Sequence, residues 1–418
     1  MDQFSTINPN SIDIGSLQVN VLQSNIFVPI SNATITISPT NSTPIEQLNT
    51  DSSGQSSTIT LPAPPIEYSL SPSSENQPYT DYDITVKADG FETTTISGVQ
   101  ILPNTKAIQT VRLNPTYSPS QNETETISIP DHTLYGNYPG KIPEAEVQPI
   151  TPSGEIVLSR VVIPEYIIVH DGLPDDASAP DYYVTYKDYI KNVACSEIYA
   201  TWPESTIYAN ILAIMSFTLN RVYTEFYRNK LKDFTITSTT AYDQKWIYGR
   251  NIYSNIDYLV DSVFANYLSK PGITQPLLSS YCDGKQVSCK GLSQWGSKYL
   301  GDEGYSAIDI LRYYYGNDIY INITTAINGI PSSYPGYTLT IGSTGQKVYQ
   351  MQEQLNRISL NFPAIPRISV DGIYGNATAN SVRTFQGVFN LPQTGDTDYP
   401  TWYTISSIYV AVTRIAEP

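Results

Sequence analysis

The sequence predicts a multidomain α+β chain: an N-terminal β-sandwich, a central α+β domain and a small C-terminal helical module. Three observations carry that expectation. A chain of 418 residues exceeds what one hydrophobic core ordinarily organises. Apolar residues alternate with a period of two through the first part of the chain, then recur at steps of three and four. A stretch poor in large aliphatics separates the two regimes.

Residues 1–115 hold the alternating runs: Leu17, Val19 and Val21; Tyr82, Ile84, Val86 and Ala88; Val111 and Leu113. Pro, Ser and Asn clusters punctuate them, as in an antiparallel sandwich. No titratable cluster accompanies these strands. The segments VPISNATITI and YDITVKADGFETTTISGV resemble carboxypeptidase regulatory-like or transthyretin-like modules. Residues 116–156 contain TYSPSQNETETISIP and YPGKIPEAEVQPITPSGE, too short of apolar surface to order strongly, and read as a linker open to a protease.

Residues 157–335 form the central domain. In YKDYIKNVACSE, Tyr186, Tyr189, Ile190, Val193 and Ala194 share one helix face. A second helix carries Ile207, Ile211, Leu212, Met215, Leu219 and Val222. Thr201 and Glu204 have capping-box spacing at its start, with Pro203 in the first turn. A later helix, about Tyr305 to Tyr315, stops at Gly316. In residues 336–418, Val348, Met351, Leu355 and Ile358 mark one short helix, and Val382 and Phe385 a second. The glycine-rich turn SVDGIYGNAT joins them.

A net charge of -16 argues against a nucleic-acid partner, whose phosphates require clustered Lys and Arg. The 34 tyrosines suit carbohydrate surfaces, though most read as filling for β-rich cores. Cys282 and Cys289 are close enough to pair or to share a metal, and Cys195 is left over. Only His132 and His170 are present, so a histidine-rich metal site cannot be assembled. The opening MDQFSTINPNS lacks the basic and apolar regions of a secretory signal, and no run approaches the roughly 18 apolar residues of a membrane span. The expectation is a soluble chain made in a cytosol.

Glu197 extends the spacing of Ile190, Val193 and Ala194, which puts a carboxylate on a buried face just before the Trp202-Pro203 break. Partial desolvation there would raise its pKa toward that of a general acid at neutral pH. Spacing alone favours a plainer reading, a glutamate at a helix end that turns outward to solvent or accepts a hydrogen bond from a neighbouring helix. No second carboxylate is near in sequence, although Asp243 and Asp261 could approach in three dimensions. Cys195 reads as a small core residue.

The stretch VACSEIYATWPESTIYANILAIMSFTL resembles the opening motif of the SpoIID family of lytic transglycosylases. Glu197 falls on that family's catalytic glutamate, and Trp202-Pro203 on its Trp-Pro. A second block, GLSQWGSKYLGDEGYSAIDILRYYYG, matches the family at Gly291, Ser293, Gln294, Trp295, Gly296 and Tyr314 to Gly316. Departures are definite: Ser288 and Cys289 stand where the family has His and Gly, and Asn210 and Met215 where it has Gln and Arg. Some relatives bind zinc through two Cys and two His. Here the histidines are missing, which leaves Cys282 and Cys289 as the remaining metal candidates, or as a disulfide or two free thiols.

The C-terminal segment resembles the peptidoglycan-binding type 1 module at Gly345, Val348, Leu355, Asp371-Gly372, Gly375, Thr378, Val382, Phe385-Gln386, Leu391, Gly395 and Thr401-Trp402. The domain order is similar to that of spore cortex-lytic enzymes. The resemblance implies cleavage of the MurNAc–GlcNAc bond of cortex peptidoglycan by Glu197, without a cofactor. Trp202, Gln244, Ser293, Gln294 and Trp295 are the implied substrate contacts. It further implies a zymogen whose first segment is cut within 116–156 by a germination protease. A mother-cell origin would explain a spore location without a secretory signal. The rival expectations are a non-catalytic peptidoglycan-binding coat protein and a hydrolase or amidase acting on the same polymer.

Overall fold

The computed structural model describes residues 12–24, 28–116, 124–142, 158, 160–328 and 334–413. Its first part comprises β1 (Asp13–Gln23), β2 (Thr34–Pro39), β3 (Glu46–Asn49), β4 (Ile59–Ala63), the single-turn α1 (Glu67–Leu70), β5 (Thr80–Lys87), β6 (Thr93–Ile101), β7 (Lys106–Leu113) and β8 (Thr124–Ser128). One sheet runs β4-β1-β7 and the other β3-β2-β5-β6-β8. The alternating residues Leu17, Val19, Val21, Ile84, Val86, Val111 and Leu113 are all buried. Each such side chain contributes about 1.5–3 kcal/mol by leaving water. The sandwich is not purely antiparallel: β1 pairs with β7, and β6 with β8, in parallel register. Alternation reports which face of a strand is buried, not the direction of its neighbour.

Residues 124–142 depart from the linker reading. Strand β8 joins the second sheet, and His132, Leu134 and Tyr138 beyond it are buried. Composition missed this because the only alternation is the short Ile127–Ile129 step of β8, and beyond it a few rings and Leu134 provide the burial. The flanking 117–123 and 143–157, where the remainder of the expected cut region falls, lie outside the described residues.

The central part holds β9 (Tyr166–His170), β10 (Asp181–Thr185), α2 (Tyr186–Glu197), α3 (Glu204–Tyr223), β11 (Ile236–Thr237), β12 (Ile252–Tyr253), α4 (Ser254–Val263), β13 (Asn266–Ser269), β14 (Tyr281–Cys282), β15 (Leu292–Ser293), α5 (Gln294–Asp302), α6 (Ala307–Tyr315) and β16 (Tyr320–Ile323). Helix α3 is buried on nearly all sides and forms the axis of this core. The expected capping box does not form: Pro203 is the N-cap, and the Thr201 hydroxyl donates to Ser69 Oγ in the sandwich at 2.8 Å. Helix α6 ends at Gly316, whose φ of 103° favours glycine. Strand β12 adds to the first sheet of the sandwich, with Ile252 opposite Ile108 and Tyr253 opposite Ala107. The two domains therefore share one sheet.

Among its described residues the C-terminal part has three helices rather than two: α7 (Gln346–Ile358), α8 (Asn376–Val388) and α9 (Tyr399–Thr413). Two buried glutamines clamp its glycine turns. Gln352 accepts from the amides of Asp371 and Gly372 at 3.1 and 2.9 Å, and Gln386 accepts from that of Gly395 at 2.8 Å. Helix α9 packs against α4, where Phe264 meets Tyr399 and Tyr403 at centroid distances of 5.8 and 5.1 Å. No helix among the described residues is long and apolar enough to cross a membrane.

Candidate functional site

Helix α2 ends at Glu197 because its last carbonyls are capped from outside. The Arg250 guanidinium donates to the Cys195 carbonyl from Nε and Nη2, at 3.1 and 2.7 Å. Asn192, one turn earlier, exchanges two hydrogen bonds with the backbone of Ile247, at 2.8 and 2.9 Å. These contacts fix the loop 243–250 against the helix end. The result is a carboxyl with no solvent exposure.

The Lys245 amide donates to one carboxyl oxygen of Glu197 at 2.5 Å, and the Gln294 amide to the other at 3.3 Å. Burial pushes the Glu197 pKa up to about 7; the Lys245 amide, the Tyr281 hydroxyl, the Lys141 ammonium and Gln294 restrain the rise. The group can thus hold or release a proton at neutral pH. Several neighbouring polar atoms are buried without a protein partner: the Gln294 Oε1, the Tyr138 hydroxyl and the Trp295 Nε1. Such atoms are costly unless a ligand or water completes them.

The second block builds the opposite wall. Strands β14 and β15 pair in parallel, Tyr281 opposite Leu292 and Cys282 opposite Ser293. A Cys282–Cys289 disulfide closes the intervening loop, with a Cα–Cα distance of 6.1 Å, so neither sulfur is a free metal ligand. The Ser293 hydroxyl accepts from the Gly296 amide at 2.9 Å and caps α5; its role in the structure is to orient Gln294 and Trp295. Gly296 is required by space, because a Cβ there would lie 2.2 Å from the Tyr314 hydroxyl.

Trp202 is buried and donates from Nε1 to the Ser69 carbonyl at 2.9 Å, so in this chain it faces the sandwich. Its ring lies 5.0 Å from that of Trp295, and Tyr199 meets Trp202 at 5.8 Å and Trp295 at 6.1 Å. A cavity of about 290 Å³ opens beside this cluster, bordered by Tyr199, Trp295, Tyr135, Tyr68 and Gln286. Gln244 does not reach it. Its oxygen accepts from the Tyr189 and Thr218 hydroxyls at 3.0 and 2.8 Å, and its nitrogen donates to the Ile214 carbonyl at 3.1 Å. Gln244 therefore sets the loop that presents the Lys245 amide.

Neither candidate second carboxylate is available. Asp243 pairs with Arg221 at 2.6 Å and accepts from Tyr227 and Thr237, and Asp261 is held by Lys187 and Lys191, each at 2.9 Å. Cys195 is buried, and its thiol is pushed up to about 12, which suits a core residue. Sequence reasoning missed Tyr281, Lys141, Tyr138 and the Lys245 amide. A backbone donor leaves no mark on residue type, and Tyr138 and Lys141 lie in the stretch dismissed as linker.

Residues 344–405 match the family model described as "Putative peptidoglycan binding domain", and the C-terminal unit is a peptidoglycan-binding domain. No curated protein matches the chain. Among solved structures it is similar to GBS52, the minor pilin of Streptococcus agalactiae, at 16% identity and a TM-score of 0.19, covering 26% of this chain and 48% of that one. It is also similar to catechol 1,2-dioxygenase from Acinetobacter sp. ADP1, at 14% identity and a TM-score of 0.18, covering 30% and 61%. A protein from Eubacterium rectale follows at 8% identity and a TM-score of 0.15, covering 26% and 94%. The chain thus spans under two thirds of the first two, and at these scores the likenesses carry no argument.

Proposed function

We propose that the protein is a lytic transglycosylase that cleaves the MurNAc–GlcNAc bond of cortex peptidoglycan during germination, with Glu197 as its single acid and base. The observation that carries this reading is a fully buried carboxyl clamped by the Lys245 amide and Gln294, in a chain that carries a peptidoglycan-binding domain at residues 344–405. The resemblance to SpoIID-type enzymes, and of the domain order to the spore cortex-lytic enzyme SleC, supports it.

One carboxyl suffices when the nucleophile belongs to the substrate. Protonated Glu197 donates its proton to the bridging glycosidic oxygen, and the bond from that oxygen to the muramoyl C1 breaks. The GlcNAc leaves with a new hydroxyl, and an oxocarbenium-like centre remains. The Glu197 carboxylate then takes the proton of the muramoyl C6 hydroxyl while that oxygen bonds to C1. The product is a 1,6-anhydro sugar, the enzyme regains its proton, and no water is consumed. A group titrating near neutrality serves both half-steps. Trp295 and Gln294 are the proposed sugar contacts at the reacting bond. Trp202 joins them only if the sandwich leaves.

The zymogen reading follows from burial: no polymer reaches a carboxyl with no exposure. In this reading a germination protease cuts within 116–156, and the enzyme works at the spore cortex or coat. The full exclusion of Glu197 from solvent equally favours a second reading, a non-catalytic peptidoglycan binder. The test is to digest cortex peptidoglycan with the protease-treated protein and with its Glu197→Gln variant, and to weigh the products. Anhydro-muramoyl ends that vanish in the variant support the transglycosylase. Reducing ends point to a hydrolase, freed stem peptides to an amidase, and binding without products to the second reading.

A further inference from the structure

The residues that cover Glu197 come from an unexpected place. Residues 131–142, between the sandwich and the central domain, run along the mouth of the site. The Thr133 amide donates to the Ser196 carbonyl at 3.3 Å, next to the catalytic candidate itself. His132 is fully buried and lies 4.4 Å from the Tyr199 ring, on the aromatic cluster that borders the cavity. Gln286 grips the segment twice, donating to the Gly136 carbonyl at 2.9 Å and accepting from the Tyr138 amide at 3.3 Å. Tyr138 is buried, and the Glu197 charge contributes to holding its phenol protonated.

At its end Lys141 enters the interior. Its ammonium donates to the Asp243 carbonyl at 2.7 Å and lies 5.0 and 5.1 Å from the ring centres of Phe217 and Tyr281. The Ile142 amide then donates to the Ala241 carbonyl at 2.8 Å. The segment thus touches both walls of the site, the loop 241–245 on one side and Tyr281 and Gln286 on the other.

We infer that residues 131–142 are a tethered plug that occupies the glycan cleft over Glu197, so that this segment, and not the β-sandwich as such, keeps the uncut chain inactive. The inference rests on the lytic reading of Glu197. It assigns the place of an activating cut. A cut before Thr124 would leave the plug joined to the central domain. A cut beyond Ile142 would sever the plug from everything that follows it. Only the second can release the cleft.

Two full-length variants test this, one with a specific protease site placed in 117–123 and the other with that site in 143–157. Each is cut once and assayed for anhydro-muramoyl release from peptidoglycan, and for acrylamide quenching of tryptophan fluorescence as a measure of cleft opening. The downstream cut should raise product release at least about tenfold over the uncut chain, and the upstream cut should leave it unchanged. Uncut chain carrying Tyr138→Ala and Lys141→Ala should show part of the same gain, with quenching above that of wild type. Equal activation by both cuts overturns the plug and makes the sandwich the brake. If no form yields product, the lytic reading fails, and quenching decides the plug: a rise confined to the downstream cut upholds it, and equal quenching after both cuts ends it.

Discussion

Replacing Glu197 by glutamine should stabilise the folded protein, and by an amount that depends on pH. The carboxyl's pKa rises from the ordinary 4.5 of a glutamate to about 7 on folding, because burial disfavours its charge. The folded state therefore binds the proton more tightly than the unfolded chain. Stability contributed by this group is complete below pH 4.5 and is lost as pH rises through 7. Integrated over that interval, the loss is about 3 kcal/mol at about pH 8 and under about 1 kcal/mol at about pH 5. Glutamine has the same shape and does not titrate. It keeps an oxygen for the Lys245 amide, and once the Gln294 side chain flips, its now unpartnered Oε1 can accept from the new NH₂. The assay is urea unfolding of both proteins at the two pH values, followed by tryptophan emission, since Trp202, Trp246 and Trp295 all lie in the central part. The variant should gain about 2–3 kcal/mol relative to wild type between the two conditions. Parallel wild-type and variant curves across that range would show that Glu197 is ionised in the folded state without penalty, and would remove the physical basis for its role as an acid.

Gly296→Ala forces a Cβ within 2.2 Å of the Tyr314 hydroxyl, so it should destabilise by about 1–3 kcal/mol in thermal melts, with Tyr314→Phe restoring most of the loss. Reducing the Cys282–Cys289 disulfide frees a short loop and should lower stability by about 2.5 kcal/mol, read as a shift in urea midpoint with and without reductant; an unchanged midpoint would deny it a structural role. Gln352→Ala unclamps the turn at Asp371 and Gly372, and sedimentation with insoluble peptidoglycan should show weaker retention while Glu197-dependent chemistry on soluble glycan is unaffected.

The period-two runs located the strands because burial on one face leaves that signature at each strand. Their pairing partners are long-range, so the parallel β1–β7 pair and the intrusion of β12 left no local trace. The steps of three and four group Glu197 with Ile190, Val193 and Ala194, but every residue from Tyr189 to Glu197 is buried, so its environment comes from packing around the whole helix end and not from one face. Thr201 shows a similar case. A capping spacing was present, but a better partner across the domain boundary, Ser69, took the hydroxyl. Gln294 touches the carboxyl and Trp295 borders the neighbouring cavity, whereas Gln244 and Ser293 work one layer back, holding a loop and a helix. The spacing of residue types does not distinguish a side chain that faces a cleft from one that supports it. The segment 131–142 was illegible because its few anchoring residues follow no period.

The ring contacts between α4 and α9 bear on how such a molecule would travel over an insoluble wall. Phe264, Tyr399 and Tyr403 hold the wall-binding helices against the body that carries Glu197. A module on a loose leash would let its partner sample a sphere whose radius the leash sets. A module seated on rings offers one bearing and one distance instead. Under the proposed lytic reading, anchoring would select which bonds of a strand come into register with the carboxyl, and the spacing of cuts would be a property of this small aromatic joint.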